Sequence, residues 1–174
     1  MNNTEIVICG AGIAGIATAY YLATNYGCRD IVLIDRAQPL SYTSSKSGEN
    51  FRDYWPQPSI SGFIGRSIAL MEKLTEETDN AFDMRWFGYD FVSFDRDSEI
   101  FPSEFLASSA SGEGLSRLLD SDRIRERAPY LSKEVRQLIH VHKAGALDVH
   151  ALGSLLLSRA RKSGVDLKTA HIND

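Results

Sequence analysis

Residues 5–36, EIVICGAGIAGIATAYYLATNYGCRDIVLIDR, decide the reading of the fold. The β-branched run at 5–9 suits a strand buried on both faces of a parallel sheet. From Ile13 the period changes. Ile13, Ile16, Ala17, Tyr20 and Tyr21 recur at helical spacing, and Gly27 stands where the helix C-terminus is expected. IVLID at 31–35 is a second buried strand, so the stretch forms one right-handed βαβ unit.

Between the first strand and the helix lies Gly10-Ala11-Gly12-Ile13-Ala14-Gly15, the G-x-G-x-x-G spacing. The first glycine permits a tight turn, the second lets backbone approach a pyrophosphate, and the third lets helix and sheet pack closely. The helix tip supplies unpaired N–H groups and partial positive charge, which stabilise a pyrophosphate without any basic side chain. Asp35 ends the second strand, where a carboxylate accepts both ribose hydroxyls. The competing reading is a glycine turn that only lets a helix approach a strand; the order strand, glycines, helix, strand, acid favours a dinucleotide. Arg36 follows, either contacting the adenosine end or facing solvent. An acid at 35 repels a 2′-phosphate, which disfavours NADP.

The composition is that of an ordinary globular chain: 174 residues, 43% hydrophobic and 24% charged, enough for one domain and a fraction. The formal net charge of -4 argues against nucleic acid as a partner. Cys9 and Cys28 show neither disulfide nor metal-ligand spacing, which fits a reducing compartment and a cytoplasmic location. Residues 6–23 are nearly continuously apolar or small, but an acid precedes them and ordered glycines break them, so they read as neither signal peptide nor transmembrane segment. The sequon Asn2-Asn3-Thr4 is read as chance.

Residues 37–58 lack apolar periodicity and are rich in hydroxyl, charged and proline residues, which predicts a long ordered loop of functional kind. A helix is expected over 61–77, a strand or hairpin over 85–95, and a helix over 115–127 ending before Pro129. The last third reads as a strand at 138–142, a turn around Gly145, a helix from Asp148 as N-cap to about Ser163, a C-cap at Gly164, and a strand from Val165.

The loop carries more hydroxyls, amides and cations than NAD requires. With VICGAGIAGIATAYYLA, IVLIDR, TSSKSGENFRDYWP, GRSIALMEKL, RWFGYDFVSF, RIRERAPYL and GALDVHALGSLLLSRARKSGV in this order, the chain resembles the FAD-dependent amino-acid and secondary-amine oxidoreductases. These are enzymes of the D-amino-acid oxidase, glycine oxidase, sarcosine oxidase and dimethylglycine dehydrogenase type.

The resemblance implies an α/β fold: a Rossmann-like FAD-binding domain with part of an α+β substrate domain. The expected division is a first part of the FAD-binding domain over 1–80, a partial substrate or cap domain over 81–143, and a return segment over 144–174. FAD is the implied cofactor, with Gly10, Ala11, Gly12, Ile13, Ala14 and Gly15 receiving the pyrophosphate, Asp35 and Arg36 at the adenosine end, and Ser44, Ser45 and Lys46 on the phosphate or flavin side. Arg52 matches a loop position near the cofactor; alternatively it faces solvent and pairs with Asp53 or Glu49. The implied reaction is hydride transfer to flavin from the carbon beside an amine nitrogen, the imine then hydrolysing, with a small amine or amino acid as substrate. No catalytic side chain is assigned. Family members run to about twice this length, so the chain reads as truncated or as one part of a split enzyme completed by a second chain. The alternative is a non-catalytic dinucleotide-holding subunit that completes a cofactor site with a partner.

Other candidates are weaker. His140 and His142 share a strand face without a third metal ligand, and His150 and His171 form no constellation with serine or cysteine. Trp86, Phe87, Tyr89, Phe91 and Phe94 are expected to be core, with a substrate cavity as the alternative. Arg123, Arg125 and Arg127 are expected on a solvated helix face.

Overall fold

The computed structural model describes residues 4–55, 57–101 and 114–171. Asn2 and Asn3 of the sequon lie outside the described residues. In chain order the first elements are β1 (Ile6–Cys9), α1 (Ile13–Asn25), β2 (Ile31–Asp35), a 3-10 turn (Thr43–Lys46), β3 (Asn50–Arg52), α2 (Pro58–Thr78), β4 (Arg85–Trp86) and β5 (Tyr89–Ser93). There follow β6 (Leu115–Leu118), α3 (Ser121–Arg127), β7 (Gln137–Val141), β8 (Ala144–Ala146), α4 (Val149–Lys162) and β9 (Asp166–Thr169).

Two compact units result. The first comprises Met1–Glu49, Glu77–Met84 and Leu147–Asp174; the second comprises Asn50–Glu76 and Arg85–Ala146. Residues 50–76, expected with the first segment, cluster with the second unit, because β3 pairs with β8.

In the first unit the strands run in the order β1-β2-β9, all parallel, with Ile6 opposite Ile31 and Asp35 opposite Thr169. Helices α1 and α4 pack against one another. Their shared core includes Ile16, Ala19 and Tyr20 of α1 and Leu152, Leu156 and Ala160 of α4. Burying one large aliphatic side chain of this kind stabilises by about 1.5–3 kcal/mol. Arg159 clips the helices together, donating to Glu77 Oε2 at 3.1 Å and to the Tyr20 hydroxyl at 3.4 Å. Asp148 caps α4 by accepting from the Ala151 amide at 2.8 Å. Gly27 and Gly164 follow the two helices with φ of +66° and +97°, the left-handed conformation expected just past a helix C-terminus.

The second unit contains two antiparallel sheets, β3-β8-β4 and β5-β7-β6. Tyr54, Phe101, Ile139, Val141 and Ala144 form one core cluster, and Ile124, Ala128, Val135 and Leu138 another. The fully buried Gln137 is hydrogen-bonded at both ends: its Oε1 accepts from Arg117 Nε at 2.9 Å, and its Nε2 donates to the Ser98 carbonyl at 2.8 Å. A buried amide left unserved would be costly.

Three expectations are corrected. The loop over 37–58 contains the 3-10 turn and β3, and α2 already begins at Pro58, a residue suited to the first helical position because its missing N–H is not needed there. Residues 115–118 are strand rather than helix: they pair antiparallel with β7, and the helix starts only after the Asp120 cap. Gly145 is not in a turn but in the middle of β8, where a Cβ would lie 1.8 Å from the Arg85 carbonyl oxygen. Of the two alternatives for 85–95, strand holds and hairpin does not, since β4 pairs with β8 while β5 pairs with β7.

The aromatic stretch also departs from its expectation. Trp86, Phe87, Tyr89 and Phe94 are exposed, Phe94 by 64%, and Phe91 alone of the five packs against the core.

Candidate cofactor site

The site grows from the junction of β1 and α1. Gly10 has φ +104°, a conformation costly for any residue with a Cβ. Gly15 meets a different constraint: a Cβ there would lie 1.9 Å from the Gly10 carbonyl oxygen. Gly12 has more room, its nearest neighbour being Ser44 Oγ at 3.4 Å from such a Cβ. Two of the three glycines are thus demanded by the chain's own backbone. At Gly12 the missing side chain leaves the loop bare toward its surroundings.

Gly12 is the N-cap of α1, and the first turn contains no acid. Among the described residues no acceptor serves the amides of Gly12, Ala14 and Gly15. Two neighbouring amides are occupied: Ala11 donates to Asp35 Oδ2 at 2.7 Å, and Ile13 to Ser44 Oγ at 3.0 Å. The helix tip therefore presents a cluster of free donors with aligned dipoles, which favours a bound anion.

Asp35 stands at the end of β2 and binds the loop directly. Its Oδ1 accepts from the Ala37 amide at 2.9 Å, and its Oδ2 accepts from Ala11. Hydrogen bonds from the Ala37 and Ala11 amides hold its carboxyl below the ordinary carboxylate range. Each carboxylate oxygen has a further lone pair, so these bonds leave acceptor capacity for sugar hydroxyls.

Beside this carboxylate opens a cleft of about 350 Å³, lined by Gly10, Ile34, Asp35, Arg36, Tyr42, Ala170 and His171. Arg36 is exposed, with its guanidinium 5.1 Å from the Tyr42 ring centroid. Tyr42, Ala170 and His171 were not singled out as site residues from sequence. His171 arrives because β9 runs parallel to β2, and the Ala170 amide donates to the Asp35 carbonyl at 2.9 Å.

The hydroxyl loop divides by role. Ser44 reaches the helix tip, whereas the exposed Ser45 donates to its own turn, to the Tyr42 carbonyl at 2.7 Å. Lys46 is exposed at the end of the 3-10 turn. Leu40 anchors the loop, its side chain filling the space beside Gly153 of α4, where a Cβ would lie 2.6 Å from Leu40 Cδ1.

Arg52 belongs to the second unit. It pairs with neither Asp53 nor Glu49; the Glu49 carboxylate instead accepts from the Val149 amide at 3.3 Å. His140 of β7 and His142 just beyond it are engaged as well. His140 Nδ1 lies 2.6 Å from Asp90 Oδ1, and His142 Nε2 lies 2.6 Å from Ser116 Oγ. No three metal-ligating side chains gather among the described residues, and no helix there is long and apolar enough to cross a membrane.

These groups suit a dinucleotide such as FAD: bare donors at a helix tip, a carboxylate within hydrogen-bond reach of the same loop, and an open cleft beside both. Known proteins agree. The chain is 31% identical over 78 residues to sarcosine oxidase subunit beta of an Arthrobacter species, covering 45% of this chain and 19% of that protein. It is 27% identical over 172 residues to human mitochondrial dimethylglycine dehydrogenase, covering 96% of this chain and 19% of that protein. The matched segments thus span about a fifth of the length of each of these curated relatives. Its fold matches the crystal structure of L-proline dehydrogenase from P. horikoshii with a TM-score of 0.78 at 23% identity, over 95% of this chain and 43% of the other. Residues 5–173 match the family described as DAO, FAD dependent oxidoreductase, and the chain belongs to that family of flavoproteins.

Proposed function

We propose that this chain supplies the FAD-holding part of an oxidoreductase that oxidises a C–N bond of an amino acid or secondary amine. The observation that carries the reading is the set of unserved amides at Gly12, Ala14 and Gly15 beside the Asp35 carboxylate. The relatives act in the same direction, being named for sarcosine, dimethylglycine and proline as substrates.

In this reading the Gly10–Gly15 loop holds the pyrophosphate through backbone donors, and Asp35 accepts from the ribose hydroxyls. Arg36 and Tyr42 flank the adenosine end of the cleft. Ser44, Ser45 and Lys46 border the phosphate side, with Lys46 contributing a positive charge. Bound FAD supplies the two-electron acceptor for a hydride from the carbon beside the amine nitrogen, and the imine so formed hydrolyses in water. The first unit then serves as the FAD-binding domain and the second as part of the substrate domain.

Titration of the full-length protein with FAD, followed by flavin absorbance and calorimetry, tests this. A yellow complex with one FAD per chain is expected, with FAD bound more tightly than NADH. Asp35→Ala should weaken FAD binding by roughly tenfold or more, as expected for a lost charge-assisted pair. Equal affinity for NADH and FAD, or FAD binding untouched by Asp35→Ala, overturns the assignment.

A further inference from the structure

A second cleft, of about 620 Å³, opens within the second unit beside β6 and α3. Four of its lining residues are arginines, Arg96, Arg117, Arg123 and Arg125, against two acids, Asp120 and Asp122. The lining is therefore cationic, in a chain whose formal net charge is -4. Both acids are committed. Asp120 Oδ1 accepts from the amides of Asp122 at 3.0 Å and Arg123 at 2.9 Å, and the Asp122 carboxylate pairs with Arg125. Among the described residues no acid pairs with Arg96, Arg117 or Arg123.

One buried group organises two of these residues. Gln137 is fully buried, and its Oε1 accepts from Arg117 Nε at 2.9 Å. Its Nε2 donates to the Arg96 carbonyl at 3.3 Å and to the Ser98 carbonyl at 2.8 Å. Displacing Arg117 or the turn that carries Arg96 would leave a buried amide atom short of a partner, which is costly. Arg117 spends only its Nε–H on this bond and keeps both terminal NH2 groups.

A guanidinium keeps its charge at every ordinary pH. Three such cations without acid partners repel one another across a shared cleft, and a bound anion relieves that repulsion. They come from three different places: Arg96 from the turn after β5, Arg117 from β6 and Arg123 from α3. A carboxylate accepts in one plane and suits a single guanidinium fork. A phosphoryl group presents its oxygens tetrahedrally and brings about two negative charges at neutral pH, so it can serve several forks together.

We propose that this cleft is a binding site for small soluble phosphate compounds, held by Arg96, Arg117 and Arg123. A cavity of this volume suits a small molecule. The site is made of residues of the second unit alone and does not depend on bound flavin.

Calorimetric titration of the full-length protein with inorganic pyrophosphate tests it, at constant ionic strength and with FAD in saturating excess to keep the glycine loop from taking the probe. Saturable binding of one pyrophosphate per chain is expected. Citrate, a carboxylate anion of similar charge, should bind roughly tenfold more weakly. Arg123→Gln should weaken pyrophosphate binding roughly tenfold, the loss expected for one charge-assisted pair. Arg117→Lys keeps the charge but gives up the planar fork and the bond to Gln137, and should weaken binding by a similar factor. Arg161→Gln removes the same charge from the exposed face of α4 in the first unit and should change nothing. Circular dichroism verifies folding; if Arg117→Lys does not fold, Arg123→Gln decides, since its side chain has no partner to lose among the described residues. No saturable signal in the parent, citrate binding as tight as pyrophosphate, an unchanged affinity in folded Arg123→Gln, or an equal loss in Arg161→Gln each overturns the proposal. If the protein binds no FAD, the cofactor reading fails, and the arginine variants still decide this site.

Discussion

Ser44 Oγ accepts a hydrogen bond from the Ile13 amide at 3.0 Å, across 31 residues of sequence. A helix whose own N-cap is glycine thereby obtains its capping oxygen from a distant loop. Ser44→Ala removes that oxygen, and loss of a capping hydroxyl costs about 0.5–2 kcal/mol. The expected result is a lower midpoint in urea with an unchanged slope, together with weaker FAD binding. Ser45→Ala, whose hydroxyl serves only its own turn, should change the midpoint less.

Glycine substitutions should have opposite signs in different helices. At Gly15 a Cβ would collide with backbone, 1.9 Å from the Gly10 carbonyl oxygen, and backbone cannot yield as a side chain can. Gly15→Ala should destabilise by about 3 kcal/mol, the upper range for overpacking. At Gly62 in α2 nothing lies within 4 Å of the added atom. Gly62→Ala should instead stabilise by about 0.5–1 kcal/mol through reduced freedom of the unfolded chain. Thermal unfolding of the two variants against the parent checks both signs.

Acid should loosen the glycine loop through Asp35. Its folded carboxyl is held below the unfolded value by the Ala37 and Ala11 amides. The stabilisation it gives is therefore fully present above the unfolded value of 3.8 and is lost as pH falls through the lower folded value. Asp35→Asn should flatten the acid limb of a plot of Tm against pH and leave its neutral slope unchanged.

Asp53 has the opposite sign. Burial pushes its carboxyl up, partly opposed by the nearby Lys143 ammonium. Ionised Asp53 is thus a burden that is absent below the unfolded value of 3.8 and develops as pH rises through the higher folded value. Asp53→Asn should raise Tm at pH 7 and give no gain below pH 3.8, measured by calorimetry at both pH values.

The first unit was legible because its signals are local. The β1–α1–β2 order, the three glycines, Asp35 and the Asp148 cap each follow from short stretches of sequence with a fixed steric meaning. The second unit was less so. Leu115–Leu118 becomes a strand only because Val141 to Leu138 lie opposite, and Gly145 is extended because β3 and β4 flank it. Such choices are made by partners many residues away, and β propensity depends on them. The cleft illustrates the same limit: Asp35 was visible, but Ala170 and His171 reach it through the register of β2 with β9. Arg52 was visible as a cation, whereas two of the rings beside it, Tyr89 and Phe91, come from β5, far along the chain.

The alternation of the chain between its two units constrains the order of assembly during translation. All of the second unit lies before residue 147, whereas β9, which pairs with β2, begins at Asp166. As the chain emerges from the ribosome, the second unit can close while the parallel sheet still lacks its third strand. Ring closure over such a distance is entropically slow, so the pairing of β2 with β9 under the glycine loop is expected to form after the second unit has closed.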